Sequence, residues 1–174
     1  MFSLESISFL SALGTLALQI FAVFLVIIYI YRRSTFASIA AVVQKYALVG
    51  ALMLSTAALV LAVYYSSVLG IEPCPLCWWQ RIFLFPQVIL FALALWKKDS
   101  DIAIYSIALS VIGSAIALYH HALQILPGTG LPCPATGVSC AQRIIFEFGY
   151  ITFPLIALTI FVTLIVLMLF VRRQ

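Results

Sequence analysis

Long apolar runs divided by short polar breaks set the pattern of this chain. The first run goes from about Ile7 to Tyr31 and closes on Arg32-Arg33. The second runs roughly from Tyr46 to Leu69 and ends in the turn Leu69-Gly70-Ile71-Glu72-Pro73. The third starts at Cys74-Pro75-Leu76-Cys77 and ends at Trp96-Lys97-Lys98; the polar turn Asp99-Ser100-Asp101 follows. The fourth covers about Ile102 to His121, and a loop rich in Pro and Gly joins it, from Leu126 to Cys140, to the last part of the chain. The fifth covers about Ile151 to Val171 and stops at Arg172-Arg173. Each run is near the ~20 residues an α-helix needs to cross the hydrocarbon of a bilayer. The pattern therefore predicts an all-α membrane protein with five spans. Residues 34–45 are mildly apolar with charge at both ends, and two readings stand: a short interfacial helix, or the first turns of the second span.

The first run has the position of a secretory leader but not its make-up. No basic residue precedes it, its apolar part is too long, and no small-residue cleavage site follows. It is expected to be a retained helix with its N-terminus outside.

Composition sharpens the membrane reading. Hydrophobic residues make up 66% of the chain and charged residues 8%, more apolar surface than a soluble fold of this size can hide. The net charge of +4 does not point to nucleic acid, because the basic residues sit at the ends of apolar runs. With Arg32, Arg33, Lys45, Lys97, Lys98, Arg172 and Arg173 in the cytoplasm, every span alternates and only Arg81 and Arg143 lie outside, as the positive-inside rule requires. All four cysteines then fall on the outer side, where disulfides persist.

The reactive chemistry is concentrated in Cys74-Pro75-Leu76-Cys77-Trp78-Trp79-Gln80-Arg81. Cys77 is expected at the head of the third helix, where free N–H groups and the helix dipole favour a thiolate. Arg81, four residues on, shares its face. A thiolate beside an arginine at the membrane edge can meet an electron acceptor dissolved in the lipid. Trp78, Trp79, Phe83 and Phe85 are candidate walls for a flat apolar pocket; the plainer reading of the tryptophans is an interfacial aromatic belt. A second pair, Cys133 and Cys140, encloses six residues including Pro134 and Gly137, a loop that closes easily into an accessible disulfide. Two pairs on one face suggest a thiol relay. Two purely structural disulfides, or a Zn site with Cys74, Cys77, Cys133 and Cys140 as its thiolate ligands, are the alternatives. His120 and His121 each read either as a partner for the acceptor or as an ordinary interfacial histidine. Pro86 lies inside the third span, where it kinks the helix or frees a carbonyl. Gly113 and Ala117, four apart, let helices approach.

In order, Cys-Pro-Leu-Cys-Trp-Trp-Gln-Arg at the head of a span, then Tyr-His-His-Ala-Leu-Gln, then an outer pair ending in Cys-Ala-Gln-Arg, resembles the DsbB/BdbC family of disulfide-bond formation proteins, from roughly Lys45 to the C-terminus. The resemblance implies a four-helix membrane bundle over residues 34–174, with residues 1–33 as one extra N-terminal span. It implies an enzyme of the bacterial inner membrane, its cysteine loops facing the periplasm. That enzyme reoxidises a thioredoxin-like DsbA-type partner and passes the electrons to ubiquinone or menaquinone, with no metal. By position, Cys133 looks like the cysteine the partner attacks, with Cys140 as its disulfide mate. Cys74 looks like the one that exchanges with that pair, and forms the other disulfide with Cys77. Cys77, Arg81 and His120 look like the quinone-side residues, while Arg143 has no assigned role. The loop between Cys133 and Cys140 is much shorter than in the enterobacterial form and closer to the BdbC type, which leaves open how the second pair reaches the first. Vitamin K epoxide reductases carry their C-x-x-C after the loop pair; here it comes first, which disfavours them. The rival reading is a metal-binding or structural membrane protein that uses the four cysteines as Zn or Cu ligands.

Overall fold

The computed structural model describes residues 4–126 and 138–172. They form five helices: α1 Leu4–Tyr31, α2 Ala37–Ser67, α3 Pro75–Lys97, α4 Ile102–Ile125 and α5 Phe153–Val171. All five are long and apolar enough to cross a membrane, so the chain is a multi-pass membrane protein of the predicted all-α class.

The helix ends follow from local sequence. No proline or glycine interrupts residues 37–49, and that stretch becomes the first turns of one continuous α2 rather than a separate interfacial helix. Cys74 is the N-cap of α3: its extended backbone turns the chain, its sulfur accepts from the Cys77 N–H at 3.4 Å, and Pro75 takes the first helical position. The fourth helix continues past His121 to Ile125, because the first breaker in the sequence is Pro127. Thr152 caps α5 by accepting from the Leu155 N–H.

α2, α3, α4 and α5 pack in a ring, each against the next, and α1 lies outside it against α5. α5 thus touches helices on several sides: 67% of its spanning stretch is buried, against 22–28% in the other four. Gly113 of α4 is what admits it. A Cβ there would overlap the Phe161 ring of α5, so the small pair Gly113 and Ala117 serves the close approach expected of it. α1 is tied on by polar contacts as well as apolar ones. Ser11 Oγ and Tyr65 OH of α2 are 3.2 Å apart, and Gln19 donates to Thr159 Oγ1 of α5 at 3.3 Å. The segment before α5 makes a tight turn at Phe148 and Gly149, both at positive φ (53° and 76°). That turn sets Phe148 on Phe9 and lets Tyr150 OH donate to Gln19 Oε1 at 3.1 Å.

Tyr29 near the end of α1 meets Phe170 near the end of α5, whereas Tyr65 near the end of α2 meets Phe153 at the start of α5. The ring helices therefore alternate in direction. One end of the bundle carries Cys74, Cys77, His120 and Cys140; the other carries Arg32, Arg33, Lys97 and Arg172.

Candidate thiol active site

The site begins at the head of α3. The Cys74 and Cys77 sulfurs are in hydrogen-bond contact at 3.1 Å. Cys74 is the donor. Its thiol is pushed up to about 12, first by the bond to the Cys77 sulfur and then by burial, so it keeps its proton at physiological pH. Cys77 is less buried than Cys74 and borders a cavity of about 130 Å³. Arg81 lines the same cavity one turn further on. Its Nη2 donates to the Ala62 carbonyl of α2 at 2.8 Å, and its guanidinium lies 5.3 Å from the centre of the Trp78 ring. α2 thereby fixes a cation beside the sulfur.

α4 supplies the second side. His120 is 1% exposed. Its Nε2 is 3.0 Å from the Cys140 carbonyl, which can only accept, so Nε2 carries the proton. In the neutral ring Nδ1 then accepts from the Gln80 amide at 3.0 Å. Cys74 Sγ lies 3.7 Å from Nε2. His121 points elsewhere: its Nδ1 is 2.8 Å from Thr152 Oγ1, the cap of α5. The structure thus separates two histidines that the sequence leaves equivalent. His120 belongs to the site and His121 joins α4 to α5.

The segment after the loop closes the site. Gln124 donates to the carbonyls of Cys140 (3.2 Å) and Gln142 (3.0 Å), and Arg143 Nε donates to the Gln124 carbonyl at 2.6 Å. These bonds and the one from His120 hold Cys140, 1% exposed, in a cluster with Cys74, Leu76 and Leu123, with Cys77 at its edge. A member of the second pair therefore already sits against the first pair. Cys133 lies outside the described residues. Arg143 acquires a structural part here, as an anchor of the Cys140 segment to α4.

The cavity walls differ from the expected ones. Phe85 lines it, but Trp78 and Trp79 are 54% and 51% exposed on the outside of α3, and Phe83 packs into the helix core. The walls come instead from Leu61 and Tyr65 of α2 and from Phe153, Ile156 and Ile160 of α5. Trp78 and Trp79 miss the cavity because the helix turns that put Cys77 and Gln80 inward put residues 78 and 79 outward. Gln80, Gln124 and Tyr65 are the site residues that sequence reasoning gave no part. The available signal was spacing: Gly113, Ala117, His120 and Gln124 share one face of α4, and all four are buried.

Residues 44–171 match the family described as disulfide bond formation protein DsbB. The chain belongs to the DsbB family. A "Probable disulfide formation protein C" of Bacillus cereus is 41% identical over 124 residues, 71% of this chain and 89% of the relative. A protein of that description from Halalkalibacterium halodurans is 35% identical over 128 residues, 73% and 93% of the two chains. A "Probable disulfide formation protein" of Chlamydia pneumoniae is 34% identical over 131 residues, 75% and 95%. No solved structure matches the chain. The DsbB-matched stretch begins inside α2 and takes in α3, α4 and α5, so the site lies within it and α1 falls outside. Family membership gives the protein a role in disulfide bond formation, which is the chemistry of a membrane oxidoreductase with thiols at its centre.

Proposed function

We propose that this protein oxidises a thioredoxin-like, DsbA-type dithiol protein outside the cytoplasmic membrane of a bacterium and passes the electrons through two cysteine pairs to a membrane quinone. The observation that carries the reading is the packing of Cys140 against Cys74 and Cys77 at the head of α3. The positive-inside distribution supports the orientation, with the cysteine end of the bundle outward.

The exchange runs in balanced two-electron steps. A thiolate of the partner attacks Cys133 of a Cys133–Cys140 disulfide; the partner's second thiol resolves the mixed disulfide, and the partner leaves oxidised. The Cys133 and Cys140 thiols then reduce a Cys74–Cys77 disulfide by the same exchange, with Cys74 in the role the family resemblance gives it as the sulfur that takes part. Cys74 and Cys77 are left as the dithiol. Because Cys74 holds its proton tightly, Cys77 is the sulfur that presents negative charge to the cavity, with Arg81 beside it.

A quinone fits the cavity on three counts. Its lining is mostly apolar, Arg81 offers a cation at its rim, and the buried Gln124 Oε1 has no partner among the described residues. Cys77, Arg81 and His120 are the residues that would hold ubiquinone or menaquinone; when bound, it supplies the oxidising power by accepting two electrons and two protons. An advantage of about 30 mV over the partner corresponds to about 1.4 kcal/mol in favour of transfer.

A metal reading has one observation in its favour: the ligand atoms of Cys74, Cys77 and His120 lie within 4.8 Å of one another. The histidine tautomer opposes it. The nitrogen facing the sulfurs is Nε2, whose proton is engaged by the Cys140 carbonyl, so it has no lone pair to offer a metal. Purified protein mixed with a reduced thioredoxin-like dithiol and a soluble quinone analogue tests the proposal. Quinone absorbance is expected to fall catalytically with wild type and not with Cys77→Ser. Normal turnover by that variant would defeat the scheme, and one metal per chain held by thiolates in mass analysis would favour the rival.

A further inference from the structure

At the end of the bundle far from the cysteines, an open cleft of about 200 Å³ lies between the α1–α2 turn and the end of α5. Arg32 and Arg33 stand at its mouth, Ala37, Ala40 and Ala41 leave room along α2, and Phe170 forms an apolar base. Among the described residues no carboxylate pairs with either arginine. The two acidic residues at this end, Asp99 and Asp101, lie in the α3–α4 turn, where Asp99 Oδ1 accepts from the Asp101 N–H. Arg32 is held by the Tyr29 ring, 4.1 Å from its centre.

α2 begins in the same place, and its N-cap Phe36 gives the first-turn N–H groups no side-chain acceptor. Free N–H groups at a helix start favour an anion. The cleft thus combines two guanidiniums with no carboxylate partner among the described residues, an uncapped helix start, an apolar base and small residues that keep it open, at the level where spans leave the hydrocarbon. Ile30, Ile39 and Val42 stand exposed beside it and continue the apolar surface toward the lipid. Arginines that merely satisfy topology need no cleft and no helix start beside them.

We propose that this cleft binds the phosphate headgroup of an anionic phospholipid, with Arg32 and Arg33 as its charge ligands and the acyl chains lying along α1 and α2. Arg32 and Arg33 precede residue 44, where the family match begins, while Phe170 lies within the match.

The test is native mass spectrometry of the full chain in detergent, titrated separately with phosphatidylglycerol, phosphatidylcholine and inorganic phosphate. Phosphatidylglycerol is expected to be retained about tenfold better than phosphatidylcholine, the effect of one or two charge-assisted hydrogen bonds. The double variant Arg32→Gln/Arg33→Gln is expected to lose that preference. Lys97→Gln/Lys98→Gln removes the same charge from the same end of the bundle and should keep it. Ala41→Leu fills the cleft without touching a charge and should also lose it. Equal retention of the two lipids, equal loss in both charge variants, or full retention in Ala41→Leu would each overturn the proposal. So would displacement of the lipid by millimolar inorganic phosphate, which would make the ligand a free anion.

Discussion

Two buried polar clusters lie between α3 and α4, and they differ in what they leave unspent. In the middle of the bundle, Gln87 donates to the Phe83 carbonyl (2.9 Å) and Ser110 Oγ (3.1 Å) and accepts from Ser106 (2.7 Å) and Ser110 (3.3 Å). Its bonding is complete, with every donor and acceptor of the amide engaged inside the bundle. At the cysteine end, the cluster of Cys74, Gln80, His120, Gln124 and Cys140 borders a cavity and keeps one buried acceptor, Gln124 Oε1, without a partner. A closed network inside an apolar bundle clamps helices; an incomplete one beside an opening has bonding capacity left for a ligand. The comparison predicts that damage to the first is read in stability and damage to the second in turnover.

The largest expected effect is Cys140→Ser, which removes the sulfur that sits against Cys74. Turnover with the dithiol partner should fall to background while the melting temperature stays close to wild type, because serine is nearly isosteric. Turnover within tenfold of wild type would show that Cys140 is not in the relay. Next is Gln87→Leu. It leaves Ser106 and Ser110 without their shared partner inside the bundle, at a cost of about 1–3 kcal/mol. Thermal unfolding in detergent should shift down, with turnover per folded molecule unchanged. Gln124→Leu should show the converse: a raised KM for the quinone analogue with a smaller shift in melting. If both variants shift the same observable, the contrast between clamp and site is wrong.

A pH experiment sharpens the sulfur assignments. The Cys74 thiol lies at about 12 against an ordinary value of 9.0. A raised value means that the folded state holds this proton more tightly than the unfolded one. That contribution is fully present below about pH 9 and is lost as pH rises through the window toward about 12. The reduced protein should therefore lose melting temperature above pH 9, and Cys74→Ala should flatten that slope. Alkylation followed by peptide mapping should find Cys77 labelled at pH 8 and Cys74 spared. Equal labelling of the two would remove the basis for calling Cys74 the proton-holding partner.

The five spans were legible because hydrophobicity is carried residue by residue, and the head of α3 was legible because Cys74, Pro75 and the run after them announce a helix start. The bounds of α2 and α4 needed one further local fact each, the lack of a breaker over residues 37–49 and before Pro127. The site was legible only in part. His120 and His121 are neighbours in sequence but about 100° apart around a helix, so which one faces inward depends on the rotation of α4. That rotation is fixed by Gly113 receiving Phe161 from α5, a contact 48 positions away in the chain. The place of Cys140 beside Cys74 depends likewise on Gln124 and Arg143 reaching across from α4. Tyr65 as a wall depends on α2 and α5 meeting. Such juxtapositions carry no signature in the local pattern.

The smallest expected effect concerns α1. Ser11 Oγ lies 3.2 Å from the hydroxyl of Tyr65, whose ring packs edge-on against Phe153 and lines the cavity. If α1 merely adheres to the bundle, removing this contact changes stability alone, by no more than about 1 kcal/mol. If α1 helps to hold the wall, Ser11→Ala frees the ring and loosens the pocket. KM for the quinone analogue should then rise about twofold to threefold, within the range expected for one neutral hydrogen bond, while KM for the dithiol partner stays constant, since in the proposed scheme the partner reacts at Cys133 and not at the cavity wall. Tyr65→Phe removes the same bond from the other side and should reproduce the change, and the double variant should add nothing to either single one. An additive double variant would mean that the two side chains act apart, and α1 would then be a companion to the bundle with no hold on its chemistry.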